Sequence, residues 1–198
     1  FRSLLQRIGD QCRERGPQES QRLLGRRRPL LSLYEPSLQE VPGLADEPPL
    51  VELPPEAARL RLFSYLEETL AALSAESPLL LVLDDLQWAD ELTLGFLAFL
   101  ASTKIHARLL LLATYRVEDL GDSLDRLLEL PSFERFELKR FDEAAVSSMV
   151  GDMLAMDPPP RNFCRFLSRH SEGNPFFVAE YLRTAVADSD THKRITTQ

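Results

Sequence analysis

Several things are scarce in this sequence, and each scarcity excludes something. No apolar run approaches the ~20 residues of a membrane-spanning helix. No basic-then-apolar leader precedes the first helix, and the chain starts at Phe1 rather than Met, which predicts a cytoplasmic piece of a longer polypeptide. Cysteine is limited to Cys12 and Cys164, each on an apolar helical face, so two buried free thiols in a reducing compartment are expected. His106, His170 and His192 are scattered, with no CxxC or HExxH spacing, which disfavours zinc. No GxSxG occurs either, so there is no nucleophile elbow. Positive charge is outweighed: 31 acidic residues against 23 basic leave a net charge of -8, which argues against direct nucleic-acid binding by this segment. The one basic cluster, Arg22 with Arg26, Arg27 and Arg28, is expected in a loop as solvated surface.

What remains is ordinary for a globular protein: 198 residues, 44% hydrophobic and 27% charged, enough for one domain with a real core. The stretch richest in information is Leu79–Asp90, LLLVLDDLQWAD. Five apolar residues run unbroken into Asp84 and Asp85, which predicts a parallel strand buried on both faces with acids just past its carboxyl end. Open α/β sheets place their ligands there. Two adjacent like charges are costly unless something cationic or protic holds them. Taken alone, the pair reads either as a metal site or as the start of a loop. Asp90 is expected to cap the helix that follows, Glu91–Ser102.

Around this stretch the pattern predicts an amphipathic helix over 1–14, with Phe1, Leu4, Leu5, Ile8 and Cys12 on its apolar face. Residues 15–55 are rich in Pro, Arg and Glu, with short helical pieces near 18–24 and 36–41, and Pro42, Pro48, Pro49, Pro54 and Pro55 make the later part a long connector. The next helix, 56–75, carries the stripe Ala57, Leu60, Phe63, Leu66, Leu70 and Leu73. A second buried strand, Leu109–Ala113, ends in Thr114, Tyr115 and Arg116. A short helix near 122–129 leads to a third strand, Arg135–Lys139. Asp142 should cap a helix at 143–155, and another follows at about 160–170. Gly173, Asn174 and Pro175 then supply a C-cap, an N-cap and an N1 proline before a last helix, with a frayed tail after Asp188. Strand–helix–strand with apolar strands means a parallel α/β sheet, followed by a helical unit from about 142.

Two strands would thus deliver Asp84/Asp85 and Thr114/Arg116 to one sheet edge. A cation on the neighbouring strand can stabilise charge developing on a γ-phosphate whose magnesium the acids hold. Arg116 also reads as a surface arginine pairing with Glu118 or Asp119, and Trp88 as a core anchor.

Together these residues resemble the signal-transduction ATPases with numerous domains (the STAND class), within the P-loop ATPases related to AAA+ proteins. LLLVLDDLQWAD is similar to their Walker B segment, LLLLATYR (Leu109–Arg116) to their sensor-1 strand, and HSEGNPFFVAEYLR (His170–Arg183) to the GxP-containing segment of their helical lid. The resemblance implies an α/β fold: a partial P-loop three-layer parallel sheet over 1–141, a C-terminal helical lid over 142–187 and a tail over 188–198. It implies ATP or ADP and Mg2+ as cofactors. Asp84 would ligand the metal, Asp85 would orient or deprotonate the attacking water, and Arg116 would sense the γ-phosphate with Thr114 beside it. Pro175 would pack near the adenine. The implied function is a slowly hydrolysing regulatory switch for covalently attached effector or sensor domains, such as a kinase, cyclase, DNA-binding or repeat domain. The alternative is a nucleotide-gated scaffold without turnover. One departure stands out: all eight glycines are isolated and none precedes Lys104, Lys139 or Lys193, so G-x-x-x-x-G-K-[ST] is absent. The resemblance puts that loop upstream of Phe1, and the 198 residues alone are then expected neither to bind ATP usefully nor to fold as a complete domain.

Overall fold

The computed structural model describes residues 2–43 and 50–196, without the side chains of 187–196. Phe1 of the predicted first helix and Pro48 and Pro49 of the predicted connector lie outside these residues. The chain divides into two compact units, Phe1–Arg135 and Phe136–Gln198.

In the first unit the helices are α1 (Arg2–Arg15), α2 (Pro17–Leu23), α3 (Arg28–Leu31), α4 (Pro55–Ser74), α5 (Glu91–Ser102) and α6 (Asp122–Leu128). Between α4 and α6 run two strands, β1 (Leu79–Leu83) and β2 (Leu109–Ala113), parallel and joined by α5. Leu79 pairs with Leu109 and Leu83 with Ala113, so the carboxyl ends of the strands coincide. The unit is mixed α/β, mostly helical, with a two-stranded parallel sheet among the described residues.

Side chains alternate across a strand, and here only one face of the sheet is covered. Leu79 and Leu109 pack against the core of α1–α5, while Leu83, Leu111 and Ala113 meet Leu97, Leu124 and Leu127 of α5 and α6. Leu80, Val82, Leu110 and Leu112 stand exposed on the other face. The expectation of strands buried on both faces is therefore corrected. An apolar run shows that both faces can be buried; the described residues supply cover for one.

The predicted third strand is also corrected. Residues 135–139 form no strand, and Leu138 is 95% exposed. A strand needs ladder hydrogen bonds as well as alternation, and no described strand lies alongside to provide them.

Residues 17–41, where short helical pieces are expected near 18–24 and 36–41, are helical there and belong to the core. Leu23, Leu24, Leu30, Leu31, Leu38 and Val41 are buried with Leu5 and Ile8 of α1 and Leu66 and Leu70 of α4. The basic cluster within it is helical, not a loop. Arg27 folds back so that its guanidinium donates to the carbonyls of Arg22 (2.9 Å), Leu23 (2.9 Å) and Leu24 (3.2 Å), supplying partners that a helix end lacks. Its burial lowers its pKa. On α4 the buried stripe is Leu62, Phe63, Leu66, Thr69 and Leu70, whereas Leu60 of the predicted stripe faces solvent. Phe63 sits among Phe96 and Phe99 of α5 with ring centroids 5.6 and 5.7 Å away, in the range where tilted aromatic pairs attract. Cys12 and Cys164 are free and buried.

The second unit contains α7 (Glu143–Leu154), α8 (Arg161–Ser171) and α9 (Pro175–Thr196) around Val146, Val150, Cys164, Leu167, Val178 and Leu182. Asp142 caps α7, its carboxylate accepting from the Ala145 N–H at 2.8 Å. Glu172 and Gly173 both take positive φ at the end of α8, and the Asn174 side chain accepts from the Phe176 N–H at 3.0 Å, with Pro175 at N1. The Gly173 carbonyl receives the Phe141 N–H at 2.7 Å. The backbone stays helical through Thr196, where a tail is expected from 188. DSDTHKRIT contains neither Pro nor Gly, so nothing in it stops a helix already under way.

Candidate functional site at the sheet rim

Beyond Leu83 the chain turns sharply. Asp84 continues the strand direction, and Asp85 adopts the left-handed conformation at φ 54°, ψ 50°. Asp tolerates that region better than most residues, because its short polar side chain bonds locally. The turn drives Leu86 into the core with Leu97, Leu124 and Leu127, which anchors the loop from below. Gln87 follows across the rim, and Trp88, 76% exposed, projects into solvent. Trp88 is thus no core anchor: Leu86 has taken that place.

Thr114, one residue beyond β2, ties this loop to the neighbouring strand. Its amide donates to the Leu83 carbonyl at 2.9 Å, and its carbonyl accepts from Leu86 N–H at 2.8 Å. Its hydroxyl donates to the Asp84 carboxylate and accepts from the Asp85 N–H, the latter at 3.0 Å. One side chain therefore holds the Asp84 carboxylate and the Asp85 backbone. The Arg116 guanidinium comes to 3.9 Å from Asp85 Oδ1, with both side chains more than half exposed. A pair in that setting contributes only about 0–1 kcal/mol, so the guanidinium is held loosely and can turn to another anion. Its ion pair is with Asp85, not with Glu118 or Asp119 among the described residues. Asp90 does cap α5: its carboxylate accepts from the Thr93 N–H at 2.6 Å, and that bond lowers its pKa.

The structure thus brings Asp84, Asp85, Thr114 and Arg116 to one rim, while Pro175 opens α9 in the other unit. A cavity of about 400 Å³ borders the acids and runs along β1, between Ser3 and Leu4 of α1 and Thr93 and Phe96 of α5. Gln87, which the sequence placed only loosely, also belongs here. Its Nε2 donates to Asp85 Oδ1 at 2.8 Å and its Oε1 accepts from the Arg116 N–H at 3.2 Å. Its position in DDLQW was the only signal available.

No group of three or more His, Cys, Asp or Glu able to hold a metal ion occurs among the described residues. The rim is therefore not a closed metal site. Two solvent-facing carboxylates do suit a hydrated hard cation that arrives with phosphate oxygens of its own.

The family model described as the AAA ATPase domain covers residues 1–112, more than half the chain and inclusive of β1, the acid pair and most of β2. No curated protein and no solved structure matches. No helix among the described residues is long and apolar enough to cross a membrane.

Proposed function

This chain belongs to the AAA ATPase domain family, and we propose that its rim is the metal- and water-handling half of a nucleotide-hydrolysing site in a STAND-class regulatory switch. The family generally binds ATP or ADP with Mg2+. When bound, the metal supplies a Lewis acid at the phosphate oxygens. On this reading Asp84 faces the metal through water, its carboxylate oriented by the Thr114 hydroxyl. Asp85 accepts a proton from, or aims, the attacking water. Arg116 turns its guanidinium from Asp85 toward charge developing on the terminal phosphate, the preorganised stabilisation that phosphoryl transfer requires. The amide cradle for the β-phosphate would come from polypeptide outside these 198 residues, which contain no G-x-x-x-x-G-K-[ST].

The second unit would act as the helical lid, with Pro175 near the adenine, and lid movement would be read by covalently attached effector or sensor domains. The observation that carries the proposal is the shared rim: Arg116 lies 3.9 Å from Asp85, beside the Thr114–Asp84 bond.

Asp85→Asn in the full-length protein tests it. Asn also accepts the left-handed conformation, so the loop is retained while the base is removed. The expected result is a fall in kcat of roughly 100-fold or more with nucleotide affinity kept. An unchanged rate, or no hydrolysis by the unaltered protein, favours the second reading. That reading is a nucleotide-gated scaffold for protein assembly.

A further inference from the structure

We propose that Gln87 is a positioning residue that sets the aim of Asp85 and the placement of Arg116 together; this rests on the hydrolytic reading of the rim. Thr114 holds the inner part of the loop, through the Asp84 carboxylate and the Asp85 amide. It leaves the Asp85 carboxylate itself free to rotate. Two contacts restrain that group: the Gln87 Nε2 bond at 2.8 Å and the loose Arg116 pair at 3.9 Å. Both fall on Oδ1, which leaves Oδ2 without a hydrogen bond to the described residues.

The same carboxamide reaches the other strand. Gln87 Oε1 accepts the backbone N–H of Arg116 at 3.2 Å, fixing where that residue leaves the β2 extension. The task needs a donor for a carboxylate and an acceptor for an amide on one side chain. A carboxamide has both, glutamate cannot donate to Asp85, and lysine cannot accept from Arg116. The partners also fix the orientation of the amide, since the reverse would set oxygen against carboxylate and NH₂ against N–H.

Backbone geometry explains why position 87 serves. The left-handed turn at Asp85 and the burial of Leu86 bring the chain back over the rim, where residue 87 reaches both neighbours. Gln87 therefore acts through Asp85 and Arg116 and needs no contact with nucleotide of its own. Its loss should affect the chemical step rather than binding.

The test compares Gln87→Ala, Gln87→Asn and Asp85→Asn, with the Gln87→Ala/Asp85→Asn double variant, in the full-length protein. ATP turnover is read alongside amide hydrogen exchange of the peptide spanning Tyr115–Val117. Gln87→Ala should lower kcat about 10- to 100-fold while KM for ATP stays within about 3-fold, the signature of a misplaced catalytic group. Gln87→Asn, one methylene too short to span both partners, should behave the same way. The double variant should be slower than Asp85→Asn alone, but by less than the factor Gln87→Ala costs in the unaltered protein, the remainder being the misplacement of Arg116. Exchange at the Arg116 amide should accelerate in Gln87→Ala without nucleotide present. Turnover that responds to Asp85→Asn but not to Gln87→Ala overturns the role of Gln87 and leaves the hydrolytic reading standing. Turnover indifferent to Asp85→Asn overturns that reading and the role of Gln87 with it. Unchanged exchange at Arg116 in Gln87→Ala overturns the proposal whatever the rates are.

Discussion

The amide of Asp85 donates to the hydroxyl oxygen of Thr114 across 3.0 Å, joining the loop after one strand to the end of the next. The same hydroxyl gives its own proton to Asp84, so the two acids are set by a single atom of the neighbouring strand. Thr114→Val keeps the side-chain volume and removes both bonds. Expected for the full-length protein is a fall in kcat of at least about tenfold, because the acids lose their fixed orientation. Thr114→Ser should restore most of it, and steady-state kinetics on the pair checks this.

At Asp90 the cap bond to Thr93 N–H holds the first turn of α5. Asp90→Ala should cost about 1 kcal/mol and lower the melting temperature by a few degrees, with Asp90→Asn near neutral. The Asp90 pKa is lowered by the Thr93 bond, and that of Glu19 by its bond to Arg22. A folded pKa below the unfolded one means the stability is present above the unfolded value of about 4 and is lost as pH falls through the folded one. Thermal melts of the full-length protein should therefore worsen below about pH 4, and less steeply in Asp90→Asn.

Gly173 has φ 72°, and a Cβ built there would collide with the Phe141 carbonyl oxygen. Gly16 has φ 81° with nothing within 4 Å of its Cβ position. Both glycine-to-alanine changes carry the left-handed penalty, but only Gly173→Ala adds the collision. The expected loss at Gly173 is about 1–3 kcal/mol, greater than at Gly16, and urea unfolding of the two variants measures the difference.

Cys12 is fully buried, and burial raises its thiol pKa. A thiol that resists ionisation and cannot be reached reacts slowly. Thiol titration of the folded full-length protein at pH 8 should leave Cys12 unmodified, with labelling appearing in denaturant; fast native labelling would contradict its place in the core.

Local signals in the chain are strong wherever chain neighbours settle the structure. The N-caps at Asp90 and Asp142, the Gly173–Asn174–Pro175 corner and the bounds of α5 are all legible, because each depends on residues within a turn of one another. The errors about the sheet and the core involve partners far along the chain. Residues 135–139 alternate like a strand but lack a strand beside them. The leucines of the stretch 17–41 pack on α1 and α4, whose positions the local pattern does not state. Trp88 and Leu86 compete for one buried place, and the backbone turn at Asp85 gave it to Leu86.

By itself the sequence determined that two apolar strands of equal length would end in acids on one side and in Thr114 and Arg116 on the other. Strand length, turn position and residue chemistry are all written within those few residues. Tertiary structure alone decided the register of β1 against β2, which face of the pair is covered, and that the Gln87 carboxamide spans from Asp85 to Arg116. The reason is physical: register and cover depend on hydrogen bonds and packing between residues about thirty positions apart, as Leu79 and Leu109 are.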